Sequence, residues 1–207
     1  MSHPVMAGKV SAALPLSLLE SVRAHDRPDE FLEDEDMMLS MPRRLGLTGV
    51  VDNQIRHYQS AGRTGVSLEE FTSLIRLVLK RDDASMILRA AGRRMAEQHF
   101  ERSARGLLGL FRLLPGGLLV RSWRRSANKL MGQMVGDASA RVRGRPPIVR
   151  LDPNPLALLE PQGTACALYG SVLERLAELY TGESASASQT HCSAYGETYC
   201  QWSIHGL

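Results

Sequence analysis

Apolar side chains recur at helical spacing through the first two thirds of the chain and alternate like strands in much of the last third. Residues 14–25 (LPLSLLESVRAH) predict a short amphipathic helix, with Pro15 in the first turn, where its missing N–H costs nothing. Residues 42–61 are mixed: Gly46 and Gly49 weaken a helix in the first half, and the second half is helix-compatible. After a turn at Gly62 to Gly65, Ser67 and Glu70 have capping-box spacing and open a helix. Its apolar face is Leu68, Phe71, Leu74, Ile75, Val78 and Leu79. Asp82-Asp83 interrupts it. A further helix runs from Ala84 into Gly106 and offers Met86, Ile87, Ala90, Met95 and Phe100 to a core. Leu107 to Leu114 (LLGLFRLL) is apolar enough to be buried, and Pro115-Gly116-Gly117 breaks it. Leu118 to Met131 resumes as a basic amphipathic helix, with Arg121, Arg124, Arg125 and Lys129 on its polar side and Trp123 as a core anchor.

The period changes after Gly136. Ser139 to Leu151 alternates, predicting strand, Pro-Pro turn and strand, and Asp152-Pro153-Asn154-Pro155 is a turn. Gly163 to Thr181 is strongly amphipathic, with Gly182 placed as its C-cap. Ala185 to Ala194 and Thr198 to His205 form a hairpin about Tyr195-Gly196-Glu197. Helices followed by strand, helix and hairpin predict an α+β fold, with helices packed on a small antiparallel sheet. Residues 1–65 read as a helical N-terminal extension with an acidic loop, and residues 66–207 as the α+β domain.

Composition adds little: 43% hydrophobic and 23% charged residues are ordinary for a globular chain. With only 5% aromatics, the core rests on Leu, Val, Ala and Met. The net charge of +3 is unevenly placed. Asp29 to Asp36 is acidic, whereas arginines dominate from Arg76 to Arg150, a pattern of solvated helix faces or of an anionic partner. A nucleic-acid interface is weakly marked, because only Trp123 accompanies the basic helix. The first residues lack an apolar export signal, and no run reaches the ~18 apolar residues that span a bilayer, so a cytoplasmic protein is expected.

The three cysteines cannot all pair, and without an export signal thiols or metal ligands are expected rather than disulfides. Cys166 lies early in the last helix. Cys192 and Cys200 flank the hairpin turn eight positions apart, so a regular hairpin puts them opposite each other on one face. Three thiolates there suit Zn²⁺, which needs a fourth ligand for a closed site. The candidates are His191, Gln189, Glu197 and His205. His191 should point to the other face, and Gln189 needs a bulge to reach the sulfurs. The alternative is three buried core thiols.

The stretch Gly163 to Ile204, with GTACALYGSVLERLAELYTGE followed by HCSAYGETYCQWSI, resembles the 4-vinyl reductase domain family. Cys166 fits that family's helix cysteine, and Cys192, Gly196, Cys200 and Trp202 fit its hairpin. The resemblance implies a zinc site of cysteines and one hairpin glutamate, at the position where this chain has Gln189. Leu88 to Leu130 is similar to uncharacterised myxobacterial proteins related to the same domains. The implied fold is a twisted antiparallel sheet on helices, shared with vesicle-tethering subunits, often homodimeric and in some members enclosing an apolar chamber. Such a chamber would be lined here by Leu107, Leu110, Phe111, Leu114 and Trp123. The functions implied are a non-catalytic binding or sensor module for a small apolar or aromatic ligand, a scaffold or tether acting through a partner protein, and a tetrapyrrole vinyl-reductase enzyme or accessory. No nucleotide or flavin motif and no nucleophile–base arrangement supports the enzyme.

Overall fold

The computed structural model of the protein describes residues 8–26, 50–61, 65–104, 116–136 and 138–207. Among these, β1 (Lys9–Val10) leads into α1 (Ala13–His25), followed by α2 (Val50–Ala61), β2 (Val66–Ser67), α3 (Leu68–Val78), α4 (Ala84–Ala104) and α5 (Gly116–Met134). The C-terminal part comprises β3 (Ser139–Arg143), β4 (Ile148–Asp152), α6 (Ala167–Thr181), β5 (Ser186–His191) and β6 (Cys200–His205). The result is an α+β domain with helices packed against two small antiparallel sheets. The acidic segment 29–36 and the apolar segment 107–114 lie outside the described residues.

The two-residue strands β1 and β2 had no sequence signal. Lys9 pairs with Ser67 and Val10 with Val66, and the pairing holds the chain's start against α3. The Ser67 hydroxyl accepts the Glu70 N–H at 3.1 Å, which caps α3 as its spacing predicts. The reciprocal half of the capping box is diverted: the Glu70 carboxylate accepts the Tyr58 hydroxyl at 2.7 Å and ties α2 to α3. Met86, expected in the core, is 62% exposed, because Ile87 and Leu88 take the buried face of α4. Gly116 and Gly117 lie inside α5 rather than ahead of it.

The larger sheet has strand order β3-β4-β6-β5. Alternation sends Val149, Leu151, Cys200, Trp202 and Ile204 inward and Arg150 and Gln201 outward. The inner face packs on α5 and α6. Trp123 of α5 is fully buried. α4 packs along α6, made possible by Gly92. A Cβ there would overlap Ser171 Oγ and lie 2.5 Å from the Leu168 carbonyl oxygen, so only glycine lets the backbones approach. Arg93–Glu178 at 3.1 Å and Arg175–Glu97 at 2.8 Å flank the crossing. Gly182 closes α6 in the left-handed conformation, its N–H bonding Glu178 O, as predicted for a C-cap.

Candidate metal centre

α6 begins where a single 3-10 turn, Thr164–Cys166, delivers Cys166 to the inner face of the sheet. The Glu160 carboxylate caps that turn by accepting the Ala165 N–H at 2.8 Å. Gly163 precedes it at φ 69°, and a Cβ there would stand 3.3 Å from Cys192 Sγ. Glycine is thus needed at Gly163 both for backbone angle and for space.

The hairpin reaches the same point by a different route from the regular one expected. Gln189 pairs with Trp202 and His191 with Gln201, so a bulge at Thr190 separates them. Gln189 is thereby turned to the face of Trp202 and Cys200, and His191 to the opposite face. Cys192 leaves the strand and starts a 3-10 turn, Ser193–Tyr195. Its N–H donates to Glu197 Oε2 at 2.6 Å, and the Tyr195 hydroxyl donates to Gln162 O at 2.7 Å. These bonds lock the hairpin tip to the loop before Cys166.

The three sulfurs converge. Cys166 and Cys192 Sγ are 3.8 Å apart, Cys192 and Cys200 Sγ 3.9 Å, and all three lie within 4.8 Å of one another. A tetrahedral ion at the usual Zn–S length separates its sulfurs by about 3.8 Å, so the cluster can coordinate a metal ion with little movement. All three cysteines are free and buried. Neutral donors surround them. The Asn154 amide donates to Cys166 Sγ at 3.3 Å while its oxygen accepts the Leu156 N–H at 3.0 Å. Ser193 N–H donates to Cys200 Sγ at 3.2 Å, and the Ser193 hydroxyl lies at the same distance.

This environment divides the thiols. Hydrogen bonding from Cys166, Ser193 and Asn154 holds Cys200 down to about 5 against the cost of burial. Its hydrogen bond with Cys200 pushes Cys166 far up, helped by burial and by the charge of its neighbours. Burial raises Cys192.

Of the other expected ligands, Gln189 is exposed on the edge strand and its amide donates to the His191 carbonyl at 3.3 Å. His191 stacks on Tyr199 and bonds Thr190 Oγ1 at 3.2 Å, away from the cluster. The Glu197 carboxylate is engaged by Cys192 N, and His205 ends β6 on the exposed side. Among the described residues, no His, Asp or Glu joins the three cysteines. Sequence reasoning missed Asn154, Ser193 and Tyr169. Tyr169 follows Cys166 by one helical turn, and its buried hydroxyl has no hydrogen-bond partner among the described residues. Burial, then the charges of Cys166 and Cys200, raise that phenol well above its ordinary value.

Of the proposed chamber, Leu107, Leu110, Phe111 and Leu114 lie outside the described residues, and Trp123 sits in the core. A cleft of about 540 Å³ opens beside Gly117, Leu118, Val120, Arg121, Arg124 and Arg145. A second, of about 370 Å³, lies on the outer face of the sheet among Arg141, Arg143, Arg150 and Gln201. No described helix is long and apolar enough to cross a membrane. Searches of family models, curated proteins and solved structures find no match to the chain.

Proposed function

We propose that the chain is a non-catalytic α+β binding or sensor module, of the 4-vinyl reductase domain type, whose last helix is clamped to its hairpin by a metal ion. The convergence of three buried sulfurs from two separate elements carries this reading. A cation bound there joins the start of α6 to β6 and to the chain after β5. Zinc is the first candidate, because its sulfur-to-sulfur spacing matches that of the cluster. Binding restricted to the folded state stabilises the fold by mass action. The ligand envisaged is small and apolar or aromatic, and the working unit envisaged is a homodimer. Elemental analysis with native mass spectrometry tests the clamp on full-length protein purified without added metal or chelator. One zinc per chain, absent from Cys200→Ser, supports it. Metal-free wild-type protein that stays metal-free when zinc is supplied refutes it.

A scaffold reading has its own observation. Arg141 stands directly opposite Arg150 on neighbouring strands, with Arg143 on the same face; Asp152 at 2.9 Å and the Tyr199 ring engage Arg150 and leave the charge of its neighbours facing outward. An anionic partner protein would relieve it. Binding that weakens steeply with salt and is lost in Arg141→Ser supports this version.

A further inference from the structure

The register of the larger sheet lines up one row of side chains across all four strands. Arg141 of β3 stands opposite Arg150 of β4, Arg150 opposite Gln201 of β6, and Gln201 opposite His191 of β5. Neighbours in such a row are about 4.8 Å apart. The row lies on the outer face, away from the core that Val149, Leu151, Cys200 and Trp202 occupy. Within it opens the cleft of about 370 Å³, lined in part by Arg141, Arg143, Arg150, Asp152 and Gln201. The flat groups of this face are held in place. The Arg150 guanidinium lies 3.6 Å over the Tyr199 ring and bonds Asp152 at 2.9 Å. His191 stacks on the same ring, with centroids 5.1 Å apart. The Gln201 amide donates to Thr190 Oγ1 at 3.1 Å, which leaves its oxygen to accept. Arg141 and Arg143 are exposed, and in the sequence residues 116–152 hold eight Lys and Arg against two Asp, so the surroundings of the row are cationic too. Trp123, the aromatic that the sequence sets beside the basic helix, is buried; the rings that meet these arginines come from the hairpin instead.

We infer that this outer face binds single-stranded RNA. Nothing in the site depends on the metal clamp proposed above. Arg141 and Arg143 take phosphate oxygens, which the guanidinium fork matches. The immobilised Arg150 plane stacks an unpaired base. The Gln201 oxygen accepts from a base amino group. Asp152, the one carboxylate among the cleft's described lining residues, accepts a ribose 2′-hydroxyl, the group that DNA lacks. An acidic protein, the partner of the scaffold reading, would use the arginines and leave the stacked plane without a role. A lipid surface calls for apolar groups that insert, and Ile148 is the one large apolar side chain among the same lining residues.

The test follows the fluorescence anisotropy of a labelled oligouridylate titrated with the full chain between about 50 mM and 200 mM salt. The expected result is saturable binding with a log–log salt slope of about −1.4, two phosphates at roughly 0.7 each. Arg141→Ser should bind roughly tenfold more weakly, with the slope reduced by about 0.7. Tyr199→Leu should also bind about tenfold more weakly but with the slope unchanged, because it frees the Arg150 plane without removing a charge. Arg76→Ser, at an exposed arginine of α3, should bind as wild type does. No binding at the lower salt, or equal losses in Arg76→Ser and Arg141→Ser, overturns the site. Oligothymidylate bound as tightly as oligouridylate overturns the assignment to RNA. Displacement of the RNA by polyglutamate at equal charge, with Tyr199→Leu no weaker than wild type, overturns the inference in favour of the acidic protein.

Discussion

Gly92→Ala separates two physical effects of opposite sign. In an unconstrained helix interior, alanine is better than glycine by about 1 kcal/mol, so local propensity alone predicts a more stable protein. The crossing of α4 and α6 predicts the reverse. The new methyl would overlap Ser171 Oγ and sit 2.5 Å from Leu168 O and 3.2 Å from Val172 N. The Ser171 side chain can turn away, at the expense of its hydrogen bond to Leu168 O at 3.0 Å. The carbonyl belongs to the helix backbone and cannot. A carbon and an oxygen rest at about 3.3 Å, so the helices must part by roughly 0.8 Å along this line. Overpacking of this kind costs about 3 kcal/mol at its upper end, which leaves the variant about 2 kcal/mol less stable than wild type. Because the contact falls on the turn of α6 after Cys166, the displacement also moves one sulfur of the cluster. Urea unfolding with and without chelator measures both effects. The variant should lose stability in chelator and gain less from added zinc than wild type does. Ser171→Ala should not rescue it, since the carbonyl clash remains. A Gly92→Ala protein as stable as wild type, or more so, would show that the helices are not in contact here, and the argument would fail.

Cys192→Ser should lose bound metal and lower the melting temperature, and metal content equal to wild type would remove Cys192 from the ligand set. His99 is 8% exposed, and burial, aided by Lys129 and Arg102, pushes its imidazole down to about 4. The unfolded chain then binds the extra proton between about pH 6.5 and 4, so stability is complete above that window and falls by up to about 3 kcal/mol through it. Unfolding titrations at pH 7 and pH 4.5 should show this slope in wild type and a flatter one in His99→Gln; equal slopes would place the acid sensitivity elsewhere. Ser67→Ala removes the α3 cap and should cost about 1 kcal/mol by chemical denaturation, whereas Ser73→Ala, at an exposed hydroxyl bonded only to Glu69 O, should cost little. Equal losses would mean that the cap is not what holds the start of α3.

The helices were legible wherever one face stays apolar over several turns. Leu68, Phe71, Ile75 and Val78 carry the helical period and are all buried. Cap chemistry was legible too: Ser67 and Gly182 act where their residue types place them. Features that depend on two distant segments were not. Two residues cannot display a period, so β1 and β2 were invisible, as was the Tyr58 hydroxyl that diverts Glu70 from its box. Gly92 carried no signal in the sequence, because the backbone it approaches is some eighty residues away.

The cysteine centre shows the same division at the level of a site. Spacing alone put Cys192 and Cys200 near each other, and the helix start brought Cys166 within reach. The regular register that suggested this is not the one that forms. A bulge at Thr190 splits Gln189 from His191, two residues that a regular strand would keep on one face. The sulfurs still meet because Cys192 caps a turn held by Glu197 and Tyr195 rather than continuing the strand. His191 points away from the cluster, as its place beside Cys192 predicts, and the bulge turns Gln189 to the face of Trp202. Among the described residues the centre comprises three sulfurs and the donors Asn154 and Ser193 bonded to them, with no carboxylate or imidazole, and its ligand chemistry has to be read from that set.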